Sequence, residues 1–185
     1  MKTNSLLNLI CFVLISLMIV SSYQVIYVDS ETPEVNDEIE LGKSKGLITS
    51  PTSLRMYELI EKFSTKYKIP KYIAYNVAFK ETRYQGPFHW NYRPNQVSCV
   101  GALGPMQIMP STARLVQKRN VPNDVLMNDI KVNTEISMKL LSILFEKYKD
   151  WGIACGCYNT GRPIVNGYAL FCSNNKNYRK NWIYI

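Results

Sequence analysis

Glu81 is the only acidic residue between Lys62 and Asn123, in a part of the chain that is otherwise basic and aromatic. The same stretch contains ten basic residues: Lys62, Lys66, Lys68, Lys71, Lys80, Arg83, Arg93, Arg114, Lys118 and Arg119. A single carboxyl group in such surroundings is suited to proton transfer beside an anionic ligand. The competing interpretation is a surface glutamate that pairs with Lys80 or Arg83.

The position of Glu81 predicts a raised pKa for its carboxyl group. A helical apolar pattern, with Ile73 and Val77 four residues apart, ends near Glu81, where the loop around Gly86 and Pro87 begins. The negative end of a helix dipole disfavours a carboxylate, and aromatic side chains that exclude water act in the same direction. The neighbouring basic side chains would oppose this rise. A carboxyl group with a raised pKa keeps its proton near neutral pH, as a general acid must.

Three separated blocks contain residue types that could complete a site around this acid. They are KETRY at residues 80–84, GALGPMQIMPSTA at residues 101–113 and YNTG at residues 158–161. In this order they resemble the lytic transglycosylase family, the Slt-type relatives of goose-type lysozyme that cleave peptidoglycan. The resemblance covers about residues 51–162, and the middle block is long enough to be specific.

The resemblance implies a mechanism with one carboxyl group, and Glu81 is the matching residue. In this family a glutamate protonates the oxygen of the MurNAc-GlcNAc β-1,4 bond while the N-acetyl group stabilises the cationic centre. The same glutamate then deprotonates the C6 hydroxyl, which gives a 1,6-anhydro-muramic end. The next acids in the chain, Asp124 and Asp129, fall at a turn and a helix start, so no second catalytic carboxylate is expected.

The resemblance also implies a set of substrate-binding residues: Ser98, Gln107, Met109, Tyr158 and Asn159. Gln107 is expected to bind an N-acetyl or hydroxyl group, because an amide buried in an apolar run would otherwise lack a partner. Tyr158 is expected to hold Glu81 or the N-acetyl group, and Asn159 also suits a turn. Ordinary core packing is the competing interpretation for Met106 and Ile108.

Some positions depart from the family pattern in ways that bear on substrate fit. Thr82 stands where serine is usual, and Pro105 stands where leucine is usual. The loop from Thr82 to Val97 is longer than expected and carries four aromatic or imidazole side chains: Phe88, His89, Trp90 and Tyr92. His89 is the only histidine, so we predict no metal site and no cofactor, and we interpret His89 as a loop residue near the glycan.

Four cysteines follow the N-terminal segment: Cys99, Cys155, Cys157 and Cys172. In an exported domain this number predicts two disulfides. Cys155 and Cys157 would point about 200° apart on a helix and should not bridge each other, so Cys99 and Cys172 would each pair with one of them. Free thiols in a reducing compartment are the alternative, and the C-x-C spacing disfavours a zinc site.

The chain begins with Lys2 and the apolar run Leu6–Val20, followed by Ser21 and Ser22, which is typical of an export signal. An uncleaved membrane anchor is the alternative. The predicted organisation is a signal peptide or anchor at residues 1–28, an acidic linker at 29–50 and one catalytic domain at 51–185. We therefore expect an exported, monomeric protein in the periplasm or associated with the cell envelope.

The charge of the predicted domain indicates a polyanionic partner. Residues 51–185 contain 19 basic and 8 acidic residues, a net charge of +11. Nucleic acid is not expected, because no helix-turn-helix, RNA-binding or zinc-finger pattern appears. Peptidoglycan glycan strands in a bacterial wall fit both the charge and the export signal.

The apolar periodicity of the domain is helical, and alternating strand patterns are absent. The clearest stripe consists of Ile136, Leu140, Leu141, Leu144, Phe145 and Tyr148. Ser50 or Ser53 and Ser111 are expected to cap two further helices. These patterns predict a mainly α, lysozyme-like domain. The alternatives to a transglycosylase are a goose-type muramidase that hydrolyses the same bond and a non-catalytic wall-binding module.

Overall fold

A computed structural model describes residues 50–184. The predicted signal or anchor segment at 1–28 and the linker up to residue 49 lie outside the described residues. Residues 50–184 form seven α-helices, one short 3₁₀ helix and no strand beyond two isolated antiparallel bridges, which confirms the mainly α prediction. The helices are α1 (Thr52–Lys66), α2 (Lys71–Thr82), α3 (Pro110–Gln117), α4 (Asn123–Asn128), α5 (Ile130–Tyr148), α6 (Trp151–Thr160) and α7 (Gly167–Asn174), followed by the 3₁₀ helix Tyr178–Asn181. None of these helices combines the length and the apolar character needed to cross a membrane.

Helix α2 is the central helix of the domain. Six consecutive residues of α2 are buried: Ile73, Ala74, Tyr75, Asn76, Val77 and Ala78. A helix that is buried on every side lies inside the core rather than on its surface. Helices α1 and α7 and the 3₁₀ helix all pack against it. Glu81, the penultimate residue of α2, is therefore carried on a rigid element.

Helix α5 is the longest helix, and it contacts α1, α3, α4 and α6. Its start is fixed by Asp129, whose carboxylate accepts hydrogen bonds from the backbone N–H groups of Lys131 and Val132 at 2.9 and 3.0 Å. The predicted apolar stripe contributes Ile136 and Leu141 to the core. Three small polar residues of α5 are also buried, namely Asn133, Thr134 and Ser137.

The predicted caps at Ser53 and Ser111 are wrong. Helix α1 follows Pro51 without a side-chain cap, and Ser53 lies inside the helix, where its hydroxyl donates to the carbonyl of Pro87 at 2.8 Å. Ser111 lies inside α3, which begins at Pro110. Proline has no N–H to satisfy and its φ is already helical, so these helices start without a side-chain acceptor.

The C-terminal segment holds the loop that follows α2. The backbone N–H of Ile183 donates to the carbonyl of Gln85 at 2.9 Å. Gly86 has φ +91°, and a Cβ at this position would lie 2.7 Å from the ring of Trp182. Only glycine combines this backbone angle with so close a ring, so the chain leaves α2 along a fixed path.

Candidate active site

Glu81 forms no ion pair with a lysine or arginine of residues 50–184. The ammonium group of Lys80 instead lies over the rings of Phe171 and Tyr168, at 5.4 and 5.9 Å from their centroids. Arg83 ends α2 with φ +58°, and its guanidinium lies 5.4 Å from the ring of Phe79. Lys80 and Arg83 therefore make cation–π contacts instead of pairing with Glu81. The interpretation of Glu81 as a surface glutamate in an ion pair is wrong.

The partner of Glu81 is Tyr168, whose hydroxyl donates a hydrogen bond to Oε1 of the carboxylate. Tyr168 lies in the first turn of α7. That helix starts at Asn166, whose side-chain oxygen accepts from the N–H of Ala169 at 2.9 Å. A capped helix end therefore positions the phenol that holds the acid.

Burial raises the pKa of Glu81 to about 7, while the hydrogen bond from Tyr168 and the charge of Lys80 act in the opposite direction. The raised pKa predicted from the sequence is thus confirmed in direction, and desolvation is its main cause. No other carboxylate within residues 50–184 contributes to this shift. A carboxyl group with this pKa can both donate and accept a proton near neutral pH.

Thr82 joins the acid-bearing helix to the two loops around it. Its buried hydroxyl donates to the carbonyl of Pro105 at 2.8 Å and lies 2.8 Å from the hydroxyl of Tyr92. Tyr92 itself is buried, with its ring 5.0 Å from that of Tyr84. Because Thr82 directly follows Glu81, these bonds fix the distance between the acid and the loop that contains Gln107.

Gln107 has φ +50°, an unusual angle for a residue with a side chain. Its amide nitrogen donates to the carbonyl oxygens of Gly104 and Gln96 at 2.8 and 3.0 Å. The loop therefore satisfies the amide nitrogen without a ligand, contrary to the prediction that this amide would otherwise lack a partner. Its Oε1 accepts no hydrogen bond from the described residues, so this acceptor is available to a ligand. Backbone strain of this kind concentrates at functional sites.

Asn133 of α5 is the buried anchor of the Gln107 loop. Its amide nitrogen donates to the carbonyls of Leu103 and Leu126, both at 2.8 Å, and its oxygen accepts from the N–H of Met106 at 3.0 Å. A Cβ on Gly104 would lie 2.6 Å from the amide nitrogen of Asn133. All the polar atoms of the Asn133 side chain are thus hydrogen-bonded, and this side chain joins the Gln107 loop, α4 and α5.

Tyr158 does not hold Glu81, which was the first of the two roles predicted for it; the second, a contact with the N-acetyl group, stays a prediction. Its hydroxyl donates to the carbonyl of Met106 at 2.7 Å and lies 3.1 Å from the hydroxyl of Ser137. Burial raises the pKa of Tyr158 well above its usual range, and the nearby charge of Glu81 adds to the rise. Tyr158 therefore lies beside the acid and supports the loop, while Tyr168 contacts the acid.

The remaining predicted site residues have identifiable contacts. Asn159 is exposed, and its oxygen accepts from the side-chain nitrogen of Asn166 at 3.0 Å, so it braces the start of α7. Ser98 closes a turn, in which its hydroxyl accepts from the N–H of Ala102 at 2.9 Å. Met109 is half-buried and directly precedes α3.

Two aromatic residues of the long loop are exposed. Phe88 and Trp90 are 36% and 58% exposed, and their rings meet edge to face at 5.7 Å. His89 is half-buried, and its Nδ1 accepts from the backbone N–H of Gln85 at 3.3 Å. Burial lowers the pKa of His89, which favours the neutral form of the ring.

The four cysteines are free thiols, so the predicted disulfides are not present in this structure. Cys172 and Cys155 are buried and in hydrogen-bonding contact, which matches one of the two pairings left open by the sequence. Cys99 is exposed and Cys157 is partly buried. As buried thiols, Cys155 and Cys172 pack as small apolar side chains in the core.

Tyr168 is the site residue that the sequence analysis missed. The segment from Asn166 to Cys172 has no clear apolar period, and it lies beyond the last matching block. One local pattern could have located its helix: Asn166 is a favoured N-cap residue, and the residues that follow it are compatible with a helix. Nothing local indicates that the phenol would reach α2.

No group of three or more histidine, cysteine or acidic side chains within residues 50–184 is arranged to hold a metal ion. A mainly helical domain with one half-buried acid at a helix end, beside a polar loop, is the arrangement of the lysozyme-like class. The family model of the Transglycosylase SLT domain matches residues 58–181. The chain therefore belongs to this family, which supports a lytic transglycosylase-type function on peptidoglycan glycan strands. A search of curated proteins found no match.

Proposed function

We propose that the protein is a peptidoglycan lytic transglycosylase in which Glu81 is the only acid and base. The observation that carries this proposal is the combination of a carboxyl pKa of about 7 with a direct hydrogen bond from Tyr168. Burial keeps the proton on Glu81 before the reaction. The phenol then stabilises the carboxylate that forms once the proton has left.

In the first step Glu81 donates its proton to the oxygen of the MurNAc-GlcNAc β-1,4 bond, and the bond between C1 and that oxygen breaks. The N-acetyl carbonyl of the muramic sugar stabilises the cationic centre, as in substrate-assisted glycosidases. In the second step the Glu81 carboxylate removes the proton of the C6 hydroxyl, and the C6 oxygen bonds to C1. The product is a 1,6-anhydro-muramic end, no water is consumed, and Glu81 regains its proton.

The placement of the other acids supports a mechanism with one carboxyl group. Two acids cap helices, namely Asp129 on α5 and Asp150 on α6. Glu61 pairs with Lys71, Glu135 with Lys66 and Glu146 with Lys149. Hydrolysis by a pair of carboxyl groups needs a second acid within about 10 Å of the first, and these five of the seven other acids within residues 50–184 are engaged in caps or ion pairs.

The substrate contacts we propose follow from the groups that the loops leave available. The free Oε1 of Gln107 accepts from an N–H or hydroxyl of the glycan, and Met109 packs against a sugar ring. Ser98 lies in the turn that precedes the Gln107 loop, where its hydroxyl adds to the polar side of the site. Phe88 and Trp90 are exposed on the loop from Thr82 to Val97, and their rings offer apolar faces to further sugar rings of the strand.

We also propose that the protein is exported to the cell envelope, where its substrate lies. The apolar N-terminal run and the net charge of +11 over residues 51–185 support this location. N-terminal sequencing of protein from the envelope fraction tests it, and also distinguishes a cleaved signal from a retained anchor. Recovery of the full chain from the cytoplasm alone would contradict export.

The test of the catalytic proposal is Glu81→Gln, which keeps the shape of the side chain and removes the titrating proton. We expect the variant to bind purified wall like the parent and to lose activity by at least about 10²–10⁴-fold, the usual contribution of general acid catalysis. Glu146→Gln is the matched control, because Glu146 is exposed, lies in an ion pair with Lys149 and lines neither the candidate active site nor a cavity. Turnover by Glu81→Gln within a few-fold of the parent would contradict the assignment.

A further inference from the structure

A cavity lies outside the candidate active site. It has a volume of about 480 Å³, which is within the range of small-ligand sites. Its walls come from the end of α3, the segment between α3 and α4, and one face of α5. Neither Glu81, Tyr168, Gln107 nor Tyr158 lines it. We call it the α3–α5 groove.

The lining of the α3–α5 groove combines apolar, amide and charged side chains. Val121, Val125 and Val132 provide an apolar surface, and the amides of Gln117 and Asn120 provide donors and acceptors. This lining suits a peptide. The valines can contact its small apolar side chains, and the primary amides can hydrogen-bond to its backbone amides.

The charge at the rim of the groove is positive. Glu135 is already bound by the ammonium of Lys66 at 2.8 Å and by the hydroxyl of Tyr67 at 3.1 Å. Arg119 and Lys139 also line the groove, and neither forms an ion pair within residues 50–184. Two unpaired cations beside a neutralised carboxylate favour a ligand with carboxylate groups.

We propose that the α3–α5 groove binds the stem peptide of peptidoglycan, a short peptide rich in alanine and carboxylates. The inference rests on the proposed function for the choice of peptide. Arg119 and Lys139 hold the carboxylates, and the valine surface holds the alanine methyl groups. The groove thereby distinguishes glycan strands that carry peptides from strands that have lost them.

The length of α3 connects the two sites. Met109 directly precedes α3 and Gln117 ends it, so eight residues of helix separate the glycan loop from the groove, a rise of about 12 Å. An extended peptide of four residues spans at most about 14 Å. A stem peptide attached to a sugar near Met109 is therefore long enough to reach the groove.

The experiment is a calorimetric titration of the full chain with free stem tetrapeptide, which contains no bond that the enzyme cleaves. We expect saturable binding that weakens at least about tenfold, or by 1.4 kcal/mol, in Lys139→Gln and in Arg119→Gln. Lys147→Gln is the matched control, because Lys147 is exposed on the same helix and does not line the groove. In turnover assays the two groove variants should raise KM for peptide-bearing strands and leave peptide-free strands unaffected.

Three outcomes would overturn the proposal: no saturable binding, equal affinity in the parent and groove variants, or equally strong binding of inorganic phosphate. The last outcome would indicate a general anion site. Peptide binding is measured without turnover, so a failure of the Glu81 mechanism leaves this result intact, and the converse also holds.

Discussion

The hydroxyl of Tyr168 donates a hydrogen bond to the carboxylate of Glu81, a residue 87 positions earlier in the chain. The bond joins the end of the central helix α2 to the start of α7. It stabilises the ionised carboxyl group, whereas burial stabilises the protonated one. The balance of these two effects brings the pKa of Glu81 to about 7, where one group can serve as both acid and base.

Replacing Tyr168 with phenylalanine should raise the pKa of Glu81 further, because the hydrogen bond that favours the carboxylate is lost. Activity that depends on protonated Glu81 falls as pH rises through its pKa, so the alkaline limb of the kcat/KM profile should move to higher pH. The turnover number should fall by at least about tenfold, since hydrogen bonds to charged groups contribute about 1.5–3 kcal/mol. The pH profile of the variant is the measurement.

Tyr158→Phe is the control for this shift. Its hydroxyl donates to the carbonyl of Met106 and not to Glu81, so its loss should disturb the loop without moving the alkaline limb. If both variants move the limb equally, or if Tyr168→Phe leaves it in place, the assigned partner of Glu81 is incorrect.

The stability of Glu81→Gln should depend on pH in a defined direction. Below about pH 4.5 the carboxyl is protonated in both folded and unfolded chains, so the parent and variant should be equally stable. As pH rises to about 7, the unfolded chain ionises first and the parent loses stability. Above that range the variant should be the more stable protein, by at most about 3 kcal/mol. Urea unfolding at pH 4 and pH 8 measures the difference, and a less stable variant at pH 8 would contradict the burial of Glu81.

Thr82→Val should destabilise the protein and reduce turnover. The change keeps the side-chain shape but leaves the carbonyl of Pro105 and the hydroxyl of Tyr92 without this partner, which costs about 1–3 kcal/mol. Thr82→Ser retains the hydroxyl and should recover most of the activity. Denaturant unfolding and turnover of both variants measure the effect. Equal behaviour of the two would show that the hydroxyl does not position the site.

Gly156→Ala should disrupt the junction of α6 with α7. A Cβ at Gly156 would lie 1.6 Å from the carbonyl oxygen of Ile164, so the loop that leads to Tyr168 must move. We expect a loss of about 3 kcal/mol or more in the free energy of unfolding, together with a loss of activity. Gly167→Ala is the control, because a Cβ there meets nothing within 4 Å. A neutral Gly156→Ala would contradict the packing of α6 on this loop.

The parts of the fold that could be predicted are those fixed by local pattern. Helix α5 has a clear apolar period, and Glu81 was expected at the end of α2 because Gly86 and Pro87 stop the helix soon afterwards. The raised pKa of Glu81 also followed from its position. These features depend on neighbours within a few residues in the sequence.

The features that could not be predicted depend on contacts between distant segments. The amide of Gln107 is satisfied by Gln96, and the phenol of Tyr168 reaches Glu81 only because α7 packs on α2. The contact between Cys155 and Cys172, which are 17 positions apart, also arises from the packing of α6 on α7. Spacing along the chain contains no information on any of these distances.

Mass spectrometry of the muropeptides that the purified protein releases from peptidoglycan tests the central claim most directly. If Glu81 acts alone and the C6 hydroxyl is the nucleophile, most products should end in 1,6-anhydro-muramic acid. The high effective concentration of an internal hydroxyl favours this outcome over attack by water. Hydrolysis adds the mass of one water to each new end. A product mixture dominated by reducing ends would contradict the single-residue transglycosylase mechanism and would indicate a muramidase.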